Sequence, residues 1–254
     1  MATPAKSAST PQAHCWVDAT LAPGARVELP PELAHHLGRV LRLQDGDSVT
    51  LFDGRDPVWL ATVRFGGKHT AWADVLQLLP EQRESPLQVT LGQGLSTGDR
   101  MDMTIQKSVE LGVAAIAPLA TARAVLKLAD ERAEKRRQHW QRVAIAACEQ
   151  SKRQRVPSVW AVDGLEHWLS GLPANAPKWF LCAHQGQRIA DLPRPAAGSM
   201  GYLLAGPEGG FTERERAAIV AAGFAPVRLG PRVLRTETAA MAALAAMQTL
   251  WGDF

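Results

Sequence analysis

The spacing of apolar residues changes partway along the chain. In the first third they come in short alternating runs, "DSVTLFDG", "VWLATVRF" and "TAWADVLQLL", rich in Val, Thr, Leu, Phe and Trp and separated by Asp-Gly or Gly-Gly turns. Period-two alternation marks half-buried strands, and glycine supplies the backbone freedom of tight turns, so this part predicts a small antiparallel barrel or sandwich. A helix precedes those runs: "PPELAHHLGRVLRLQDGD" opens on a proline pair, carries Leu33, Leu37 and Leu41 four apart, and ends near Asp45-Gly46.

After the polar stretch "EQRESP", which reads as a linker, the pattern becomes one of continuous apolar runs and helical periods. "LQVTLGQG", "VAAIAPL", "KWFLCA", "GYLLAG" and "APVRLG" are buried-strand runs. Met101, Ile105 and Val109 recur at helical spacing, with Gly112 placed to end that helix. Residues 130–151 predict a long helix with Trp140, Val143, Ala147 and Cys148 on its apolar side, and further helices are expected over 212–222 and 236–251. Buried strands alternating with helices imply an α/β domain with a mainly parallel sheet. The expected organisation is a disordered tail over 1–12, a first domain over 13–83 and a second over 86–254.

Composition adds limits. A chain of 254 residues with 46% hydrophobic content can bury a core in one large domain or two ordinary ones. No apolar stretch is long enough to cross a membrane and the first residues carry no apolar signal core, so a cytoplasmic protein with no membrane partner is expected. Cys15, Cys148 and Cys182 are far apart, which fits small buried hydrophobes better than disulfides or a zinc site. Adjacent His35 and His36 point to different sides of a helix, and no metal is expected. The net charge is only +3, yet residues 131–155 hold eight Lys/Arg against three acids, a focused basic element with apolar residues interleaved.

In open α/β sheets ligands sit beyond the carboxyl ends of the strands, and two loops there stand out. In "YLLAGPEGGFTERE" a strand runs into a glycine-rich turn and then a helix, where Thr212 and Glu215 have capping-box spacing. The turn matches neither GxGxxG nor a phosphate loop, and a tight strand-to-helix turn would equally explain its glycines. In "LGPRVLRTETAA" Thr236 or Thr238 can cap a helix, with Glu237 well placed against the helix dipole. Arg232 and Arg235 do not fit that account: positive charge before a helix N-terminus is unfavourable unless an anion comes there.

"GPEGGF", "LGPRVLRTETA", "DRMDMTIQKSVELGV" and "EQSKRQRVP" together resemble the motifs of the ribosomal RNA small subunit methyltransferase E family, enzymes of the SPOUT class that methylate N3 of a uridine in the decoding region of 16S rRNA. The resemblance covers all but the N-terminal tail. It implies an N-terminal PUA-like β-barrel that helps hold RNA, a SPOUT α/β domain with a deep trefoil knot, a homodimer, and S-adenosyl-L-methionine as cofactor. By position the cofactor would touch Leu181, Cys182, Ala183 and His184 in one loop. In the second it would touch Leu204, Ala205, Gly206, Pro207, Glu208, Gly209 and Gly210. The third would contribute Leu229, Gly230, Pro231, Val233, Leu234, Arg235, Thr236 and Thr238. Arg235 and Arg232 would stabilise charge on the uracil, and Glu237, Glu149 or water would accept the N3 proton.

Phosphate contacts that position 16S rRNA or the small ribosomal subunit would come from Arg39 and Arg42 and from Lys135, Arg136, Arg137, Arg142, Lys152, Arg153 and Arg155, with Glu149 and Gln150 beside them. One departure is visible: where the family carries an arginine-aromatic pair near the N-terminus, this chain has His14 before Cys15-Trp16. Alternative readings are a SPOUT enzyme acting on tRNA or a ribose hydroxyl, and a non-catalytic ribosome-assembly factor.

Overall fold

The computed structural model describes residues 10–55, 57–67, 70–80, 82–124, 130–183 and 185–254, so most of the predicted tail and His184 lie outside the described residues. The chain divides into two compact units, Met1–Glu84 with Cys148–Val156, and Ser85–Ala147 with Pro157–Phe254.

In the first unit five strands, β1 (His14–Trp16), β2 (Arg26–Glu28), β3 (Ser48–Phe52), β4 (Val58–Phe65) and β5 (Ala71–Leu79), form one sheet in the order β1-β3-β4-β5-β2. All neighbours are antiparallel except β1, which runs parallel to β3. Each strand sends alternate residues into a single core: Cys15 and Val17, Val27 and Leu29, Val49 and Leu51, Ala61 and Val63, Ala71, Ala73 and Val75. The alternation follows the period of two that the sequence pattern predicts, but β3 and β4 also bury Ser48, Phe52, Val58 and Leu60 outside this cluster, and the register of β4 shifts between Leu60 and Ala61.

The helix before β3 departs from expectation. It is α-helical only over α1 (Pro31–His35) and continues as a π-helical turn, His36–Val40, in which the Leu41 N–H donates to the His36 carbonyl five residues back. The wider turn takes Leu41 off the apolar stripe: Leu37 is 0% exposed but Leu41 is 40% exposed. Arg42 then adopts a left-handed φ of 58°, and Leu43 returns to the core.

Cys148–Val156 belongs to the first unit through specific polar contacts. Glu84 accepts from the Arg153 guanidinium (Nη2 to Oε2, 2.7 Å) and from the backbone N–H groups of Gln154 and Arg155. Glu149 accepts from the Trp16 N–H at 3.0 Å. His14 Nε2 donates to the Arg153 carbonyl at 2.9 Å, its Nδ1 lies 2.7 Å from Thr50 Oγ1, and its ring stacks on Phe52.

In the second unit β6 (Gln88–Gly94), β7 (Ala115–Ala120), β8 (Ser158–Val159), β9 (Asp163–Gly164), β10 (Lys178–Leu181), β11 (Met200–Ala205) and β12 (Ala225–Val227) form a parallel sheet. Its order is β12-β10-β11-β6-β7-β8, with β9 also on β7. The helices are α2 (Asp99–Glu110), α3 (Asp130–Ser151), of which residues from Cys148 on belong to the first unit, α4 (Leu165–Ser170), α5 (Glu213–Ala221) and α6 (Thr236–Trp251). Phe180, Leu204 and Leu119 pack with Trp168 of α4 and Ile219 of α5 in one core cluster. Elsewhere in the unit α2 packs against α6, burying Met101, Ile105 and Val109 of the former and Ala240, Ala243, Leu244 and Met247 of the latter. Trp179 and Trp251 stack with ring centroids 5.5 Å apart.

Because every pairing in this sheet is parallel, β6, β10, β11 and β12 end on one edge, where their loops meet. All three cysteines are buried and free, as their composition implied, and burial pushes the Cys15 and Cys148 thiols up to about 12. Among the described residues no helix is long and apolar enough to cross a membrane.

Candidate functional site

Three loops at that edge enclose a cavity of about 500 Å³. Leu181, Cys182 and Ala183 line it after β10; Ala205, Gly206, Pro207, Glu208 and Gly210 after β11; Leu229, Gly230, Arg232, Val233, Leu234, Arg235, Thr236 and Glu237 around the start of α6. Four of the expected cofactor contacts lie outside the lining. Leu204 is fully buried one residue short of its loop, Pro231 and Thr238 are exposed, and Gly209 abuts Arg123, whose Nη1 donates to its carbonyl at 3.2 Å.

Local chemistry fixes the glycine-rich loop. Thr212 and Glu215 form the predicted capping box, and Glu215 Oε1 also accepts from the Ala122 N–H at 2.7 Å. Gly94, at the end of β6, lies so close to the loop that a Cβ there would stand 2.6 Å from the Pro207 nitrogen. Only glycine permits that approach.

The threonines at the start of α6 do not cap it. The N-cap is Arg235, whose side chain makes no cap hydrogen bond, and Thr236 is the first helical residue. Its hydroxyl donates to the Gly206 carbonyl instead, while Gln93 Nε2 donates to Thr236 Oγ1 at 2.9 Å. Thr236 therefore ties the third loop to the second, and the first N–H groups of α6 have no side-chain acceptor among the described residues. Beside them Glu237 is buried, with Oε2 unpartnered among the described residues. Arg232 and Arg235 are exposed on the cavity wall.

The Glu208 carboxylate is held by its own backbone N–H and by groups at the start of α2. Its Oε1 accepts from the Thr97 N–H (3.1 Å), the Thr97 hydroxyl (3.2 Å) and Arg100 Nη1 (3.0 Å). Burial pushes this carboxyl up, but backbone N–H groups and the Arg100 guanidinium outweigh burial and hold it below the usual value of 4.5.

The basic residues separate into different roles. Arg39, Arg42, Lys135, Arg136, Arg142, Gln150, Lys152 and Arg155 are exposed; Arg137 is half-buried and paired with Glu134 at 2.6 Å. Arg153, expected on phosphate, is buried against Glu84, with both side chains only 7% exposed. Glu149 serves Trp16 rather than the cavity, and burial raises its carboxyl above 4.5 despite that hydrogen bond. His14, in place of the expected arginine, has both ring nitrogens engaged.

Sequence reasoning missed Gln93, Arg100, Phe211 and Arg216, of which the last three line the cavity. A polar Gln inside the apolar run "VTLGQG" and an arginine in the first turn of a helix were the available signals. Among the described residues no group of His, Cys, Asp and Glu could hold a metal ion.

Comparison with known proteins agrees with this layout. Residues 83–248 match the model of an RNA methyltransferase domain and residues 29–76 that of an RNA methyltransferase PUA domain. The crystal structure of a ribosomal RNA small subunit methyltransferase E from Neisseria gonorrhoeae bound to S-adenosyl methionine is 42% identical. It superposes with a TM-score of 0.89, the match covering 95% of this chain and 99% of that one. Proteins of the same name from Buchnera aphidicola and Synechocystis are 33% and 36% identical, each over 89% of this chain and over 92% and 74% of their own lengths. The parallel α/β unit and the PUA-like unit are thus those of a SPOUT methyltransferase, and the chain belongs to the ribosomal RNA small subunit methyltransferase E family.

Proposed function

We propose that this protein transfers a methyl group from S-adenosylmethionine to N3 of a decoding-region uridine in 16S rRNA. The observation that carries the reading is the cavity where the three loops meet, with two exposed arginines on its wall and a buried, unpartnered carboxylate oxygen beside them. Its volume suits a small-molecule cofactor. Apolar groups of Leu181, Leu229, Leu234 and Phe211 fit the flat part of such a ligand, and the bare backbone around Gly206 and Gly210 offers N–H and C=O groups to its polar edges.

When bound, S-adenosylmethionine supplies an electrophilic methyl group on a sulfonium sulfur. The chain's own residues do the rest. Backbone of Leu181–Ala183, Gly206–Glu208, Gly210, Leu229, Gly230, Val233 and Leu234 holds and orients the cofactor, a matter of positioning. Arg235 and Arg232 stabilise negative charge as uracil N3 loses its proton, charge that spreads onto the two flanking carbonyl oxygens. Glu237, whose Oε2 is unpartnered among the described residues, takes that proton. The uridine reaches the cavity only when taken out of its stack.

Exposed Arg39, Arg42, Arg136, Arg142 and Lys152 supply phosphate contacts on the RNA or the small subunit. The half-buried small face of α6, with Ala242, Ala245 and Ala246, suits close approach of a second copy in a homodimer. The return of α6 from the sheet edge at β12 to contact β11 and α2 is what a knotted chain ending requires. The site of action is the cytoplasm, where small subunits are found.

The deciding experiment incubates the protein with methyl-labelled cofactor and small subunits from a strain lacking the modification, then identifies the nucleoside by mass spectrometry. 3-Methyluridine is the expected product. Label in a ribose or in tRNA would replace this reading with the related SPOUT activities, and no label at all with a binding factor.

A further inference from the structure

Four arginines line the cavity. Arg232 and Arg235 belong to the third loop, and Arg216 lies along the second, with Nε donating to the Phe211 carbonyl at 3.4 Å. Arg100 alone comes from α2, where it occupies the first turn. A cation there faces the positive end of the helix dipole; the acids in that turn, Asp99 and Asp102, are the residues the dipole favours. Its ion pair with Glu208 joins side chains 43% and 21% exposed, a geometry that contributes little to folding. Stability therefore does not account for Arg100.

The pair instead aims the guanidinium. Glu208 Oε1 is fixed by the Thr97 N–H and hydroxyl and takes a single Arg100 donor, Nη1 at 3.0 Å. A guanidinium carries five N–H donors in a planar fork. No other side-chain bond from Arg100 occurs among the described residues, so the rest of the fork faces the cavity and solvent. A base drawn into the cavity leaves its phosphodiester toward the more solvent-exposed part of the wall, and a planar fork fits a phosphate's paired oxygens.

We propose that Arg100 is a substrate-binding residue that donates to a phosphodiester oxygen next to the target nucleotide, and that Glu208 is the positioning residue that aims it. The inference rests on reading the cavity as the methyl-transfer site. It also gives Glu208, expected on the cofactor, a different use: its carboxylate serves the RNA side.

The test compares wild type with Arg100→Ala, Arg100→Lys and Glu208→Gln. Methyl transfer to small subunits is followed at several salt concentrations, with calorimetry for S-adenosylmethionine. Arg100→Ala should raise KM for subunits about tenfold, keep kcat, and lower the slope of log affinity against log salt by about 1, as loss of one phosphate contact does. Cofactor affinity should stay within about twofold, since a phosphate contact does not touch the cofactor. Arg100→Lys should keep the salt slope but not the full affinity, because it retains charge without the fork. Glu208→Gln should raise KM severalfold with cofactor affinity intact.

A fall in kcat at unchanged KM would move Arg100 to the reacting base, and parallel loss of cofactor affinity would move it to the cofactor; either overturns the proposal. If wild type transfers no methyl, the reading of the site fails separately. Arg100 is then judged by anisotropy with a labelled rRNA fragment, where equal affinity and salt slope for wild type and Arg100→Ala overturn it.

Discussion

Arg153 and Arg235 both come from family motifs rich in charge, and the fold treats them in opposite ways. In the first unit Arg153 is buried and fully committed, its guanidinium held by Glu84, which also accepts two backbone N–H groups of the same segment. In the second unit Arg235 stands exposed at the cavity wall, in N-cap conformation but without a cap bond. A buried charge is tolerated only when paired and hydrogen-bonded, because its desolvation is costly. An exposed arginine ahead of a helix gains nothing from the dipole. Residue type and motif membership do not separate these cases; burial and counter-charge do.

Breaking the buried side of this comparison should have the largest effect. Glu84→Ala leaves Arg153 buried without its counter-charge and should cost about 3–5 kcal/mol of stability, read by urea denaturation. The double change Glu84→Leu with Arg153→Met should recover only part of that loss, since an apolar pair of similar volume can replace a buried ion pair but the Gln154 and Arg155 N–H groups lose their carboxylate acceptor. An unchanged midpoint in Glu84→Ala would put Arg153 in the same class as the surface arginines.

The open side should respond in activity rather than stability. Arg235→Ala should leave the unfolding free energy within about 0.5 kcal/mol of wild type. Methyl transfer should fall about 10²- to 10³-fold, as when one donor to a developing charge is removed. Cofactor affinity, measured by calorimetry, should change far less; equal losses in transfer and binding would assign Arg235 to the cofactor. Smaller still, Arg136→Glu on the exposed face of α3 should weaken rRNA binding without altering its sequence preference and reduce the salt slope. An unchanged slope would make that face merely solvated.

These contrasts also mark what the sequence could reveal. α2, α3 and α6 were readable because their apolar periods are long, and the Thr212–Glu215 capping box because it closes within three residues. β1 and β2, of three residues each, are too short to carry a period, and the π-helical turn that displaces Leu41 leaves no mark on a four-residue spacing. The partners of the Arg153, Thr236 and Glu208 side chains lie far off in the chain. Glu84 is 69 residues from Arg153, Gly206 is 30 from Thr236, and Glu208 is 108 from Arg100. The motifs thus located the cavity loops, but the jobs of Arg153, Thr236 and Glu208 depended on contacts that no local pattern encodes.

The smallest effect separates two glutamates by pH. Glu149 is half-buried with one N–H donor, and burial raises its carboxyl above 4.5; Glu208 has several donors and a cation, which outweigh burial and lower it. The signs follow from proton counting. Folded Glu149 keeps its proton to higher pH than the unfolded chain does, so its contribution is present below the ordinary value and lost as pH rises through 4.5 toward the folded value. For Glu208 the contribution is present above the ordinary value and lost as pH falls toward its lower folded value. Glu149→Gln, whose amide oxygen can still accept from Trp16, should therefore gain on wild type between about pH 4 and about pH 7, while Glu208→Gln should lose on it. Urea midpoints at both pH values measure the two differences. A Glu149→Gln difference that is the same at both would mean that this carboxyl titrates as a solvated one, and that one N–H offsets its burial in full.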